Sequence, residues 1–221
     1  MKKEKSSQST ISSSQVFLTH VCCGLVLAVG FWVAHNVYSI NLVSDPSNTL
    51  CWIWASELPV VILLFSCFRQ KQEKCSYLKA IAQGLLGLPA GALLNALGAL
   101  ALGAPIGLQY LEKTLNWSLL MSLFTFVPAA SVYGSSWKDW HRIFACTKPN
   151  GSLDFMLCLP AHGAVIGAWF GAWPMPLDWE RPWQDWPICV SYGAVAGYVV
   201  GMVGSFGVSL MRGGQKQLKA E

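Results

Sequence analysis

Charge is what this chain has least of. Asp, Glu, Lys and Arg make up 12% of its 221 residues, about half the share usual in a soluble domain. Its polar connectors are too short to cover the apolar remainder in water, which argues against a soluble globular protein. Catalytic signatures are missing as well. There is no Walker loop, no GxSxG, no HExxH and no CxxC, and no Ser–His–Asp set is suggested by spacing, so no catalytic residue is nominated. The eight cysteines, Cys22, Cys23, Cys51, Cys67, Cys75, Cys146, Cys158 and Cys189, lie mostly within apolar stretches. They read as small apolar side chains rather than as a zinc site or a disulfide framework. Only Cys51 and Cys189 fall near a common face where a pair is conceivable. A few acids in one loop are weak grounds for a metal. No metal site is assigned, and no cofactor is expected in this chain.

What the chain has in quantity is apolar sequence. Hydrophobic residues are 53% of the total, gathered in six blocks: Val16–Ile40, Thr49–Phe68, Lys79–Gly103, Leu115–Tyr133, Leu153–Pro174 and Pro187–Met211. Each is near or above the roughly 20 residues that cross about 30 Å of hydrocarbon as a helix. Backbone polar groups must be satisfied internally in lipid, and blocks this long select helices over strands. The fold class is therefore an all-α polytopic membrane protein, a bundle of six transmembrane helices. Residues 1–15 are polar, Ser-rich and expected to be disordered. Residues 16–211 form the membrane domain and 212–221 a short tail. The first block is too long for a signal-peptide core and lacks a small-x-small cleavage site, so it is expected to remain as a span.

Basic residues orient the bundle. Lys2, Lys3 and Lys5, then Arg69, Lys71, Lys74 and Lys79, then Lys138, Arg142 and Lys148, and finally Arg212, Lys216 and Lys219 fall on one side. Only Lys113 and Arg181 fall on the other. The positive-inside rule places both termini in the cytosol and the loop 175–186 on the opposite, luminal face. The net charge of +4 is thereby explained by topology, and no nucleic-acid partner is implied.

Three features stand out against this background. Gly163, Gly167 and Gly171 repeat at four-residue spacing in the fifth block, and Gly193, Gly197 and Gly201 do so in the sixth. That spacing puts each set on one helix face, where another backbone can approach closely. Between the ladders lies PMPLDWERPWQDWP, Pro174 to Pro187. It carries Asp178, Trp179, Glu180, Arg181 and Trp183. One reading is an aromatic belt at the membrane surface, with Arg181 neutralising a neighbouring acid. The other is a binding surface, since Pro174, Pro176, Pro182 and Pro187 stiffen the loop more than anchoring requires. The third feature is Glu57, deep in the second block, where an ionised carboxylate costs about 2.5–3.5 kcal/mol on insertion scales. It either faces a polar cavity, a lipid head group or a partner's cation, or it is protonated and bonded to a neighbouring helix. His20, His35 and His162 show no ligand spacing and read as helix-packing residues.

The run from Gly167 to Pro187, and PLDWERPWQ from Pro176 to Gln184 in particular, resembles the signature of the phosphatidylinositol-glycan biosynthesis class F (PIG-F) family. Weaker similarity covers Gly193–Val203, Ser122–Pro128 and the turn Gly103-Ala104-Pro105. The resemblance implies a multi-pass protein of the endoplasmic-reticulum membrane. It further implies a non-catalytic subunit that stabilises GPI ethanolamine-phosphate transferases, with the class O and class G catalytic proteins as partners alongside membrane lipids. A lipid-handling enzyme or carrier acting on phosphatidylethanolamine or a GPI precursor is the alternative. On this topology, a flexible insert bearing an Asn-x-Ser/Thr acceptor within 175–186 should be glycosylated, and the same insert after Glu221 should not. A gel-mobility shift removed by endoglycosidase reads the outcome.

Overall fold

Residues 11–70, 75–145 and 148–218 are described by a computed structural model. Seven α-helices occur in them: α1 (Ser13–Asn36), α2 (Pro46–Cys67), α3 (Tyr77–Ala101), α4 (Leu108–Tyr133), α5 (Trp137–Trp140), α6 (Ser152–Ala172) and α7 (Ile188–Leu218). All but α5 are long and apolar enough to cross a membrane, and the described residues contain no strand.

Local chemistry sets the helix starts. Ser12 and Gln15 form a capping box, with the Gln15 N–H donating to Ser12 Oγ at 3.2 Å and the Ser12 N–H to Gln15 Oε1 at 3.0 Å. These satisfy two donors that a helix start leaves unpaired. Because of this cap α1 begins at Ser13, within the segment expected to be disordered; residues 1–10 of that segment lie outside the described residues. Asp45 caps α2 by accepting the Asn48 N–H at 3.1 Å, with Pro46 at the first helical position. At the other end of the bundle α7 continues past Met211 to Leu218. The first turn of the expected tail is therefore helical, and Arg212 fixes it there, donating to the Asn150 carbonyl at 3.1 Å and lying 4.6 Å over the Phe155 ring.

α4 is the bundle's centre. Its most apolar stretch is 83% buried, against 22–39% in the other five spans, yet it is the least apolar of the six. Thr114, Asn116, Ser118, Ser122, Thr125 and Ser131 are all buried on it. In lipid the interior need not be the more apolar side, and buried hydroxyls and amides bond helix to helix. The Ser122 hydroxyl donates to the Leu88 carbonyl of α3 at 2.7 Å, and the Trp54 indole of α2 to Asn116 at 3.1 Å. On the α7 side Phe124 stacks on Tyr198, with centroids 4.2 Å apart. α1 joins α7 through Ser13, which donates to the Ser209 carbonyl at 3.0 Å, and through His20 Nε2, 2.7 Å from Ser205 Oγ. The start of α1 and the end of α7 thus share one face of the bundle, the terminal face; the turn between α6 and α7 lies on the loop face.

The hairpin of α6 and α7 is packed backbone to backbone. A Cβ on Gly167 would overlap the Gly193 carbonyl oxygen and lie 2.9 Å from the Gly197 Cα. Gly163 meets the Gly197 carbonyl in the same way, Gly171 that of Cys189 and Gly201 that of Leu159. Each ladder leaves room for the other helix's main chain, so no side chain separates the two axes. Gly167→Leu or Gly197→Leu should therefore cost at least about 3 kcal/mol, because the obstruction is backbone and cannot rotate away. Gly207→Leu, with nothing near its Cβ, should cost little. Thermal unfolding midpoints in detergent compare the three.

Candidate functional site

The loop that closes this hairpin is ordered by its own residues. Short turns follow α6: the Met175 N–H donates to Ala172 O at 3.1 Å, and Leu177 N–H to Pro174 O at 3.1 Å. A single 3₁₀ turn, Pro182–Gln184, precedes α7. Gln184 joins the two halves. Its Nε2 donates to the carbonyls of Pro174 at 2.6 Å and Leu177 at 2.7 Å, while its Oε1 accepts the Arg181 N–H at 2.9 Å. One buried side chain thus bonds three main-chain groups drawn from both halves of the loop. Trp186 fastens the loop to the bundle, donating from its indole to Thr114 Oγ1 at 3.0 Å and packing on Trp117 with centroids 5.2 Å apart.

The outer side of the loop is the converse. Asp178, Trp179, Glu180 and Arg181 are exposed, and Trp183 is half-buried edge-on to Trp179 at 6.0 Å. Trp173 adds a further exposed ring beside them in sequence. Arg181 forms no ion pair with Asp178, Glu180 or Asp185; among the described residues both ion pairs belong to Arg142. The expected neutralisation of a neighbouring acid is thus not what the structure contains. Stiff backbone holds these charges apart and leaves them turned outward.

Glu57 is placed elsewhere. It is fully enclosed, neither carboxylate oxygen has a hydrogen-bond partner, and Cys23 of α1 and Tyr198 of α7 are within its electrostatic range. The structure does not bring it to the loop acids, to a lipid-facing surface or to a cation. His20 bonds α1 to α7, His162 turns back on the Cys158 carbonyl at 2.8 Å, and His35 is exposed. Cys51 and Cys189 are both free thiols, and Cys146 lies outside the described residues. No three His, Cys, Asp or Glu side chains converge as metal ligands among the described residues.

A second polar cluster was not singled out from the sequence. α4 ends at Gly134, whose φ of +56° favours glycine, and the chain continues through α5 into a π-helical turn, His141–Ala145. This turn aims Arg142 at Asp139 and at the buried Asp154 of α6. Asp154 also accepts the Tyr133 hydroxyl at 2.5 Å and the Asn150 N–H at 2.8 Å. Burial works against the Arg142 charge, yet the hydrogen bonds to Asp154 and Asp139 outweigh it and hold the guanidinium above its ordinary range. The available signal was an acid just inside an apolar span, three residues after the turn Pro149-Asn150-Gly151.

The GPI biosynthesis protein family Pig-F matches residues 10–206, which take in the first five spans, the loop after them and the sixth span as far as Phe206. The chain belongs to the Pig-F family. It is 40% identical over 101 residues to the mouse "GPI ethanolamine phosphate transferase, stabilizing subunit", a match covering 46% of each chain. It is 37% identical over 110 residues to "Glycosylphosphatidylinositol anchor biosynthesis protein 11" of Yarrowia lipolytica, covering 50% of this chain and 47% of the relative. A "PIGF/3-ketodihydrosphingosine reductase fusion protein" of Schizosaccharomyces pombe is 39% identical over 122 residues, covering 54% of this chain and 24% of the relative. The chain is thus matched over about half, or less, of the length of these curated relatives. No solved structure matches it. Within this Pig-F chain the loop's two faces separate by experiment. Gln184→Ala should loosen the loop by about 1 kcal/mol, since it removes one donor each from the Pro174 and Leu177 carbonyls and the acceptor of the Arg181 N–H, and proteolysis between 175 and 186 should accelerate. Asp154→Ala should leave the Tyr133 hydroxyl unpaired and Arg142 with Asp139 alone, and cost about 2–3 kcal/mol, read as a lowered unfolding midpoint with the loop's protease resistance retained.

Proposed function

We propose that this chain is a non-catalytic membrane subunit that binds and stabilises a GPI ethanolamine-phosphate transferase, with the class O and class G catalytic proteins as its partners. The reading places it in the endoplasmic-reticulum membrane, both termini cytosolic and loop 175–186 luminal, where the transferase would meet it. The observation that carries it is the split character of that loop. Gln184 and Trp186 lock its inner side, while Trp179 and an unpaired Arg181 stand on its outer side. A loop backbone already ordered spares a partner that part of the entropy cost, and Trp and Arg are residue types that dominate interface energies. The named stabilizing role of the mouse relative supports the same assignment. The glycine-packed hairpin beneath gives the loop a stiff base.

The lipid-handling alternative gains no specific support. Glu57, its one intramembrane carboxylate, is sealed within the helices rather than set in an accessible cavity. Co-expression of the transferase with this chain, followed by affinity purification in mild detergent, tests the proposal. The wild-type chain should retain the transferase and raise its steady-state level. Trp179→Ala with Arg181→Ala should weaken association about 30-fold or more if both are hot-spot residues, while leaving the chain's own unfolding midpoint unchanged. Retention at wild-type strength by that double variant would overturn the loop's role. Ethanolamine-phosphate transfer by the purified chain alone would overturn the non-catalytic assignment.

A further inference from the structure

α3 and α6 both pack on α4, and between them the bundle is not closed. A cavity of about 190 Å³ opens there, walled by Phe126 of α4, Phe144 of the π-helical turn, and Ala161 and Val165 of α6. It also contains three polar side chains, Asn95, Thr125 and His162. His162 is ten residues from either end of α6, about 15 Å from each, so the cavity reaches the hydrocarbon midplane. Each polar side chain spends one bond on its own helix: Asn95 Nδ2 on the Gly91 carbonyl at 2.8 Å, Thr125 on Met121 at 2.6 Å and His162 Nδ1 on Cys158 at 2.8 Å. Asn95 Oδ1 and His162 Nε2 have no partner among the described residues.

We infer that this cleft receives a membrane-spanning helix of the partner protein, which inserts one side chain carrying a hydroxyl, amide or indole N–H. Three observations select this occupant. An acyl chain fills apolar space but offers no hydrogen bond, and unsatisfied polar groups at the midplane are costly. The volume suits one large side chain rather than a whole helix, which seats it as a knob beneath a helix lying across α3 and α6. The walls are aromatic and pre-arranged: the Phe144 ring stacks on His162 with centroids 5.9 Å apart and on Phe126 at 6.3 Å, a surface shaped for a ring or a branched chain. The cleft is distinct from the loop face and would supply a second, intramembrane contact to the same partner; it rests on the reading of the chain as a binding subunit.

A photoreactive residue at Val165, which lines the cleft, is compared with one at Val203, exposed on α7 outside it, in the full chain co-expressed with the transferase. The expected result is a covalent adduct with a transferase span from position 165 and none from 203. In parallel, Asn95→Leu with His162→Leu should lower co-purification about three- to tenfold, the loss of one or two interhelical hydrogen bonds, with the chain's unfolding midpoint unchanged or raised. Lipid-only adducts at 165, or equal protein adducts at both positions, would overturn the cleft's role while leaving the subunit reading standing. No association of the wild-type chain with the transferase would overturn both.

Discussion

The contact on which the rest depends is the meeting of two main chains, α6 and α7, with no side chains between them. Lipid tails are as apolar as leucine, so helices in a membrane gain little from hiding apolar surface and associate through close packing and hydrogen bonds. Six glycines, three on each helix, lie along this seam, and its closeness constrains the chain that joins the two helices. Helices so near one another must be connected by a loop that turns within a narrow width. Such a loop has no room for paired strands, and a side chain must tie its two halves together. Gln184 does so. The stiffness of the loop is therefore a consequence of the seam beneath it, and its outward residues inherit a fixed geometry at no further cost in order.

The interior of the bundle is organised by hydrogen bonds rather than by apolarity. α4, the least apolar span, is the most buried, because its hydroxyls and amides tie it to neighbours that are themselves coated with leucine toward lipid. Glu57 fits this inside-out arrangement only in part. It is enclosed without a hydrogen-bond partner, a placement tolerable only without full charge in such surroundings. The polar groups of the cleft between α3 and α6 differ in kind. They lie at the boundary with lipid, where a partner can reach them.

Much of the architecture was legible because membrane spans are announced by length and hydropathy. The limits of the spans were less so, for definable reasons. The apolar criterion missed Ser13 because the start of α1 is set by a hydrogen-bonded cap, Ser12 with Gln15. It began the fourth span at Leu115, whereas α4 begins at Leu108, because Glu112 and Lys113 interrupt apolarity without interrupting helix. It stopped the last span at Met211, where a cation-π contact from Arg212 carries the helix on. The order of helices in space had no local signal. Nor did the Arg142–Asp154 pair, which needs a π-helical turn to bring a connector residue against a buried acid. The candidate loop residues were found by composition and resemblance. Gln184, which makes that loop a structure, was overlooked because its importance lies in three carbonyl and amide contacts that no pattern of residue types displays.

The loop's charges bear on why a binding role fits better than surface anchoring. An anchor at the membrane surface gains from tryptophans in any orientation, and it gains nothing from keeping an arginine apart from three acids only a few residues away. Exposed ion pairs are worth only about 0–1 kcal/mol, so a modest constraint on the main chain decides whether they form. Here prolines on both sides of Arg181 and the bond from its own N–H to Gln184 hold the main chain in a shape that keeps Arg181 from Asp178, Glu180 and Asp185. Unpaired charges of both signs on a rigid support are complementary to a surface with the reverse arrangement, and such complementarity selects a partner and its orientation more than it adds raw affinity. The glycine seam supplies that rigid support, so a change deep in the hairpin and a change at the loop's tip should act on the same property: the positions at which these charges are offered.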